Sequence, residues 1–196
     1  MTNEPIKVSR GVAYKGEEFF AMMQRRFAEE FEDRREMHLQ VGRTIVALSD
    51  VELFLESLFV VFSLPTPEAT SSKFFYKTRN VSGKLDLVDY AVTRSPEEEL
   101  RGDWIGISQR IKRQKVVRNI AAHASIHFKQ EKGASRSRAV IVAISHGEEG
   151  KAKELGIPDV RKAADELEEI VRSLRKFLTT SIRVVVQSRN ILIEKF

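Results

Sequence analysis

The chain has 196 residues, with 33 Lys and Arg against 28 Asp and Glu, 42% hydrophobic and 31% charged residues, and no cysteine. That length fits one domain with its own core; the composition excludes a disordered chain, and the lack of cysteine excludes disulfides and thiolate metal sites. The net charge of +5 favours an anionic partner, and the longest charge-free run, Ser57 to Pro67, falls far short of the roughly 20 residues that a membrane-spanning helix needs.

The opening MTNEPIKVSR has no apolar segment of the kind a secretion signal carries, so the expectation is a cytoplasmic protein with no membrane partner. Residues 1–15 read as a polar leader, 16–183 as one helical domain and 184–196 as a tail open between helix and strand. Phe20, Met23, Phe27 and Phe31 recur at helical spacing among Glu and Arg, which predicts an amphipathic helix over about 16–36. Val41, Ile45, Leu48, Leu55, Phe59 and Phe62 form a second series, ended by Leu64-Pro65-Thr66-Pro67, and the two helices can run as one rod. Glu52 falls where that series expects an apolar residue. Its carboxylate either reaches water from the edge of the stripe or partners a buried cation.

A turn and short helix are expected over 66–80, then a helix over 82–94 with Leu85, Val88 and Val92 on one side. Ser95-Pro96-Glu97-Glu98 has the residues of a helix start: an N-cap serine, a proline at the first helical position and a glutamate three residues after the cap. From there a long helix is expected through Trp104, Ile107, Ile111 and Val117 to about Ala122. KGASRSR reads as a loop and RAVIVAIS as strand, which places a small β-strand or hairpin insert near 126–145. A last helix is expected from Pro158-Asp159, with Val160, Ala164, Leu167, Val171, Leu174 and Leu178 on its core face. The fold class is all-α, an up-and-down bundle of four to six helices.

Much chemistry is set aside by inspection. No glycine-rich phosphate loop, G-x-S-x-G elbow or H-E-x-x-H is present, and His38, His123, His127 and His146 lack metal-ligand spacing, so neither metal nor cofactor is expected. What stands out is the segment between Asp103 and Glu131, which holds Arg110, Lys112, Arg113, Lys115, Arg118 and Lys129 and no acid. Such a strip suits a polyanion, with Arg110, Lys112, Arg113 and Lys115 as candidate nucleic-acid contacts, or it is a solvated helix face.

The strip ends at Val117-Arg118-Asn119-Ile120-Ala121-Ala122-His123. Asn119 and His123, four apart, share a helix face, whereas Arg118 and His123 stand about 140° apart around the axis. Either the helix opens at the histidine or a second copy completes the pair. An imidazole and an arginine fork can cleave RNA without metal: one moves the 2′-hydroxyl or leaving-group proton, the other stabilises charge on phosphate. The structural alternative is that Arg118 makes a salt bridge, for instance with Glu52, while Asn119 and His123 cap the helix end.

Arg118, Asn119 and His123 at this spacing resemble the motif of the HEPN superfamily, small all-α domains in which an arginine, a polar residue and a following histidine recur. The flanking frame over about 36–180 is similar too, with VGRTIVALSDVELFLESL in an early helix, the motif ending a helix and an amphipathic helix behind it. The resemblance implies a bundle that often forms a homodimer, two motifs facing each other in a composite ribonuclease site. It implies catalytic roles for Arg118 and His123, with Asn119 in the polar position. It also implies membership among RNA-cutting toxins and defence proteins or their RNA-binding relatives, with an antitoxin or nucleotidyltransferase as partner. The alternative is a noncatalytic interaction module or dimeric scaffold that binds nucleic acid or an acidic partner through the basic strip.

Overall fold

The computed structural model describes the backbone at residues 6–7, 13–14, 16–123, 125–130, 137–143 and 153–190, and side chains over 16–114, 125–130, 137–142 and 154–190. The described part is mostly helical with a small antiparallel sheet. In chain order it runs β1 (Ile6–Lys7), β2 (Ala13–Tyr14), α1 (Gly16–Phe62), α2 (Glu68–Lys77), α3 (Val81–Arg94), α4 (Glu99–His123), β3 (Ser125–Gln130), β4 (Ser137–Ala143), β5 (Lys153–Gly156) and α5 (Ile157–Ser188). No described helix is long and apolar enough to cross a membrane. The polar leader is not featureless, since β1 and β2 pair antiparallel within it.

The two N-terminal helices are one rod of 47 residues, about 70 Å at 1.5 Å per residue. Its buried face carries Met37, Thr44, Leu48, Val51, Leu55 and Leu58. That face is turned from the expected series: Leu48, Leu55 and Phe62 are buried as read, but Ile45 is exposed and Val51 takes an inward place. The helix's N-terminal half departs further, because Phe20, Phe27 and Phe31 point to solvent at 62–66% exposure. An apolar stripe at helical spacing records a face that prefers to leave water, not what covers it.

α3 begins where the Asn80 side chain accepts the Gly83 N–H at 2.7 Å, an N-cap that satisfies one of the orphan donors of the first turn. Leu85, Val88 and Val92 are buried, as their spacing requires. α4 starts at Glu99, later than the Ser95-Pro96 signal implied. Ser95 instead ends α3, and its hydroxyl donates to the Glu97 carboxylate. The serine is diverted from capping because a distant arginine, Arg189, donates to it, while Glu98, the glutamate of that signal, accepts from Arg101 instead.

Leu48, Leu55, Leu58, Phe75, Val88, Trp104, Ile111, Leu167 and Leu174 belong to one core to which all five helices contribute. A second, smaller core joins the sheet to α1 and α5: Met37, Ala139, Ile141, Leu155 and Val160, with Ile126 and Phe128 packed on it. The sheet order is β3-β4-β5, antiparallel throughout, with Ser125 opposite Val142 and Val140 opposite Gly156. Asp159 accepts the Gly156 N–H at 2.9 Å and sets the start of α5. α5 then takes in residues 184–188, which the sequence leaves open, and buries Val185 in the main core. Residues 191–196 lie outside the described residues.

Candidate nucleic-acid interface at the end of helix α4

Trp104 and Ile111 are fully buried and seat α4 in the main core, so the helix delivers its C-terminal end from a fixed base. The backbone stays helical through His123 and β3 begins at Ser125. The helix therefore does not open ahead of the histidine, and Arg118 and His123 remain about 140° apart on one axis. The side chains of Lys115, Arg118, Asn119 and His123 lie outside the described residues.

The described part of the basic strip is largely neutralised within the protein. Arg110 Nε donates to Glu166 Oε1 on α5 at 2.7 Å, and Nη1 reaches Ser173 Oγ at 3.3 Å. Lys112 Nζ donates to Asp89 Oδ2 on α3 at 2.7 Å. Lys129 Nζ reaches both carboxylate oxygens of Glu154, at 2.9 and 2.7 Å. Arg113 is exposed and makes no ion pair among the described residues. Sequence proximity of the bases concealed this, because each acid comes from another element.

Asp89 is the hub on the α3 side. Its Oδ1 accepts from Trp104 Nε1 at 2.8 Å and from Ser108 Oγ at 2.7 Å while Oδ2 holds Lys112. The indole N–H of a buried tryptophan needs an acceptor, and the carboxylate supplies it without leaving water, which keeps the arrangement inexpensive.

Glu52 partners a buried cation, the second of its two readings. Lys84 Nζ lies 2.6 Å from Glu52 Oε2, with the lysine side chain 9% exposed and the glutamate 29%. The ammonium also stands over the rings of Phe75 and Tyr76, at 5.4 and 5.2 Å from their centroids. A signal for this pair was in the sequence: Lys84 precedes Leu85 by one and Val88 by four, on the apolar face of α3, as Glu52 stands in the apolar series of α1. Two opposite charges, each at a core position, are most economically placed together. Tyr76 donates to Glu56 Oε2, and that carboxylate raises the phenol's pKa.

Grooves are found elsewhere among the described residues. One of about 460 Å³ runs along α1 between His38 and Asp50, with Glu168 on its far wall. Another lies beside β4 and β5, between Arg138 and Asp159. Among the described residues no three His, Asp or Glu side chains converge as a metal site would require. Neither family models nor curated proteins nor solved structures yield a match to this chain, so the functional reading rests on its own residues.

Proposed function

We propose that the protein is a HEPN-like up-and-down bundle acting as a metal-independent endoribonuclease, or as an RNA-binding relative of one, in toxin, defence or growth control in the cytoplasm. The observation that carries this reading is a core-anchored helix, α4, that ends on Arg118-Asn119-x-x-x-His123 inside a segment free of acids from 104 to 130. In the proposed reaction the His123 imidazole takes the 2′-hydroxyl proton and returns a proton to the leaving 5′-oxygen. Arg118 stabilises the charge that builds on phosphate, and Asn119 holds the imidazole or a phosphate oxygen. With Arg118 and His123 on different sides of one helix, each motif is half of a site, completed by the second copy in a homodimer. An antitoxin or nucleotidyltransferase is the partner this reading implies.

The test is cleavage of a mixed RNA pool by the purified full chain in the presence of chelator. The expected products end in 2′,3′-cyclic phosphate, and His123→Ala abolishes them. Absence of cutting, or cutting that survives His123→Ala, ends the catalytic reading.

The internal pairing of Arg110, Lys112 and Lys129 favours a second reading, a noncatalytic interaction module or dimeric scaffold. Under that reading His123→Ala leaves RNA affinity unchanged, and any binding is salt-sensitive and carried by Arg113 and Lys115.

A further inference from the structure

Most of the described bases of the α4 strip are held internally, but those at the end of α2 are not. The segment leading from α2 to α3 reads Lys73-Phe74-Phe75-Tyr76-Lys77-Thr78-Arg79, cations interleaved with aromatic rings. Lys73, Lys77 and Arg79 are exposed and make no ion pair among the described residues. The α1 acids that face this segment are already engaged, Glu52 by Lys84 and Glu56 by the Tyr76 hydroxyl.

Helical phase sorts these side chains. Ser71 and Phe75 are buried, and at 100° per residue Thr70, Lys73, Phe74 and Lys77 fall within an arc of about 100° on the side away from Phe75. Glu68, the acid of the first turn, stands two turns before Phe75 and on its side of the helix, so the outward face carries two ammonium groups and no carboxylate. Lys73 and Lys77 have the i,i+4 spacing at which like charges repel. An anion lying across them removes that repulsion.

Phe74 supplies the other half of a recognition surface. Its ring stacks on Phe59 of α1, with centroids 6.1 Å apart and planes at 16°, yet the residue is 54% exposed. The inner ring fixes the outer one, which keeps a face open to water beside the lysines. A fixed aromatic face among cations suits single-stranded nucleic acid: any unpaired nucleobase has a face to stack, and the phosphates beside it meet the positive charge. A duplex keeps its nucleobase faces covered. A bilayer surface needs a broad apolar face, whereas here Phe74 is flanked by Thr70, Lys73 and Lys77.

The position of this surface in the bundle follows from helix pairing. α3 and α4 run antiparallel, with Arg101 at Ser95 and Ser108 at Asp89. At about 1.5 Å per residue, Asn80 at the start of α3 is then level with Val117. Arg79 therefore stands at the end of the bundle where the α4 backbone carries Arg118 to His123.

We propose that Lys73, Phe74 and Lys77 on the outward face of α2, together with Arg79, form a binding site for single-stranded nucleic acid, with one nucleobase stacked on Phe74 and phosphates on the cations. The site is separate from the α4 strip and its test reads binding, so a chain that binds here and cuts nothing loses the catalytic reading alone. The probes are a twelve-nucleotide oligouridine and an RNA duplex of the same length, titrated with the full chain. The single strand is expected to bind with a Kd on the order of 10 μM at low salt and a salt slope of about −2, and the duplex more weakly. Phe74→Leu keeps an apolar side chain against Phe59 but offers no ring, and weakens binding about tenfold, whereas Phe74→Tyr binds like the parent. Lys73→Gln with Lys77→Gln brings the slope to about −0.7 with melting unchanged. Phe74→Trp reads the stack directly, because oligouridine quenches the new indole while Trp104 is fully buried. Single-strand affinity indifferent to Phe74→Leu, an unquenched Phe74→Trp, or preference for the duplex overturns the proposal. So does binding to phosphatidylserine vesicles with none to oligouridine.

Discussion

Glu97 and Arg189, 92 residues apart, close the end of the molecule where α1, α4 and α5 meet. Arg189 Nε lies 3.0 Å from Glu97 Oε1 and Nη2 lies 3.1 Å from Oε2, while Nη1 donates to the carbonyls of Phe62 and Leu64 at 3.2 and 2.6 Å. Ser188 adds a 2.6 Å hydrogen bond to Glu97, and Ser95 donates to it from the other side. A planar fork satisfied at both edges is the geometry that makes arginine preferable to lysine at such a junction.

Burial alone would raise the Glu97 pKa; the hydrogen bonds from Arg189, Ser188 and Ser95 outweigh it and lower the pKa from 4.5 to about 2. A carboxylate whose pKa is depressed on folding contributes stability that is complete above the unfolded value and fades as pH falls through the folded one. The window is therefore from about pH 4.5 down to about 2, and the contribution is on the order of 3 kcal/mol. Melting temperature against pH should fall through that window for the parent and more gently for Glu97→Gln, which is less stable at neutral pH. Parallel curves for the two proteins would show that the junction does not carry the acid response.

The Glu52–Lys84 pair predicts an asymmetric mutational response. Glu52→Ala strands a buried ammonium against two aromatic rings and should cost about 2–3 kcal/mol, at the low end for a buried pair because the carboxylate is partly wet. Lys84→Met keeps the volume, removes the charge that had to be desolvated, and should be close to neutral. Urea unfolding of both single variants and the double variant measures the coupling. A Lys84→Met variant that is as unstable as Glu52→Ala would refute the asymmetry.

How much of this was legible in the sequence depends on whether the cause was local. The Leu85, Val88 and Val92 face of α3 and the Trp104, Ile107 and Ile111 face of α4 follow from spacing alone, and each is buried. Ser95 misled because its capping chemistry is local while its partner, Arg189, is not. Phe20, Phe27 and Phe31 have the same spacing as a core face but stay exposed, since periodicity cannot say whether a neighbour arrives. For the candidate site, the strip of bases was visible but its neutralisation by Glu166, Asp89 and Glu154 was not. Those acids lie on α5, α3 and β5, and only the packed fold brings them to α4 and β3.

The bases of α4 should accordingly divide by partner rather than by position. Arg113→Ala, at an exposed side chain with no ion pair among the described residues, should weaken RNA binding by roughly two- to fivefold and reduce the salt slope by about one, with no change in melting. Arg110→Ala should instead lower the melting temperature, because it leaves Glu166 without its 2.7 Å partner, and should change affinity little. Fluorescence anisotropy at several salt concentrations, with melts of the same preparations, separates the two. Equal losses of affinity would mean that Arg110 leaves its salt bridge to meet the ligand.

Asp89 allows the anion-binding reading to be tested by gain rather than loss. Asp89→Ala removes the acceptor of Trp104 Nε1 and Ser108 Oγ, and an unsatisfied indole N–H in the core should cost about 1–3 kcal/mol. The same change releases Lys112, whose side chain is 52% exposed even while paired, into the field around Arg113. Local net charge becomes one more positive, alongside the loss of the Trp104 and Ser108 hydrogen bonds. If α4 receives a polyanion, Asp89→Ala should bind RNA more tightly than the parent at low salt, with the advantage shrinking as salt rises, although the protein itself melts earlier. A variant that is less stable and binds no better would place the nucleic-acid surface elsewhere than on the Lys112 side of this helix.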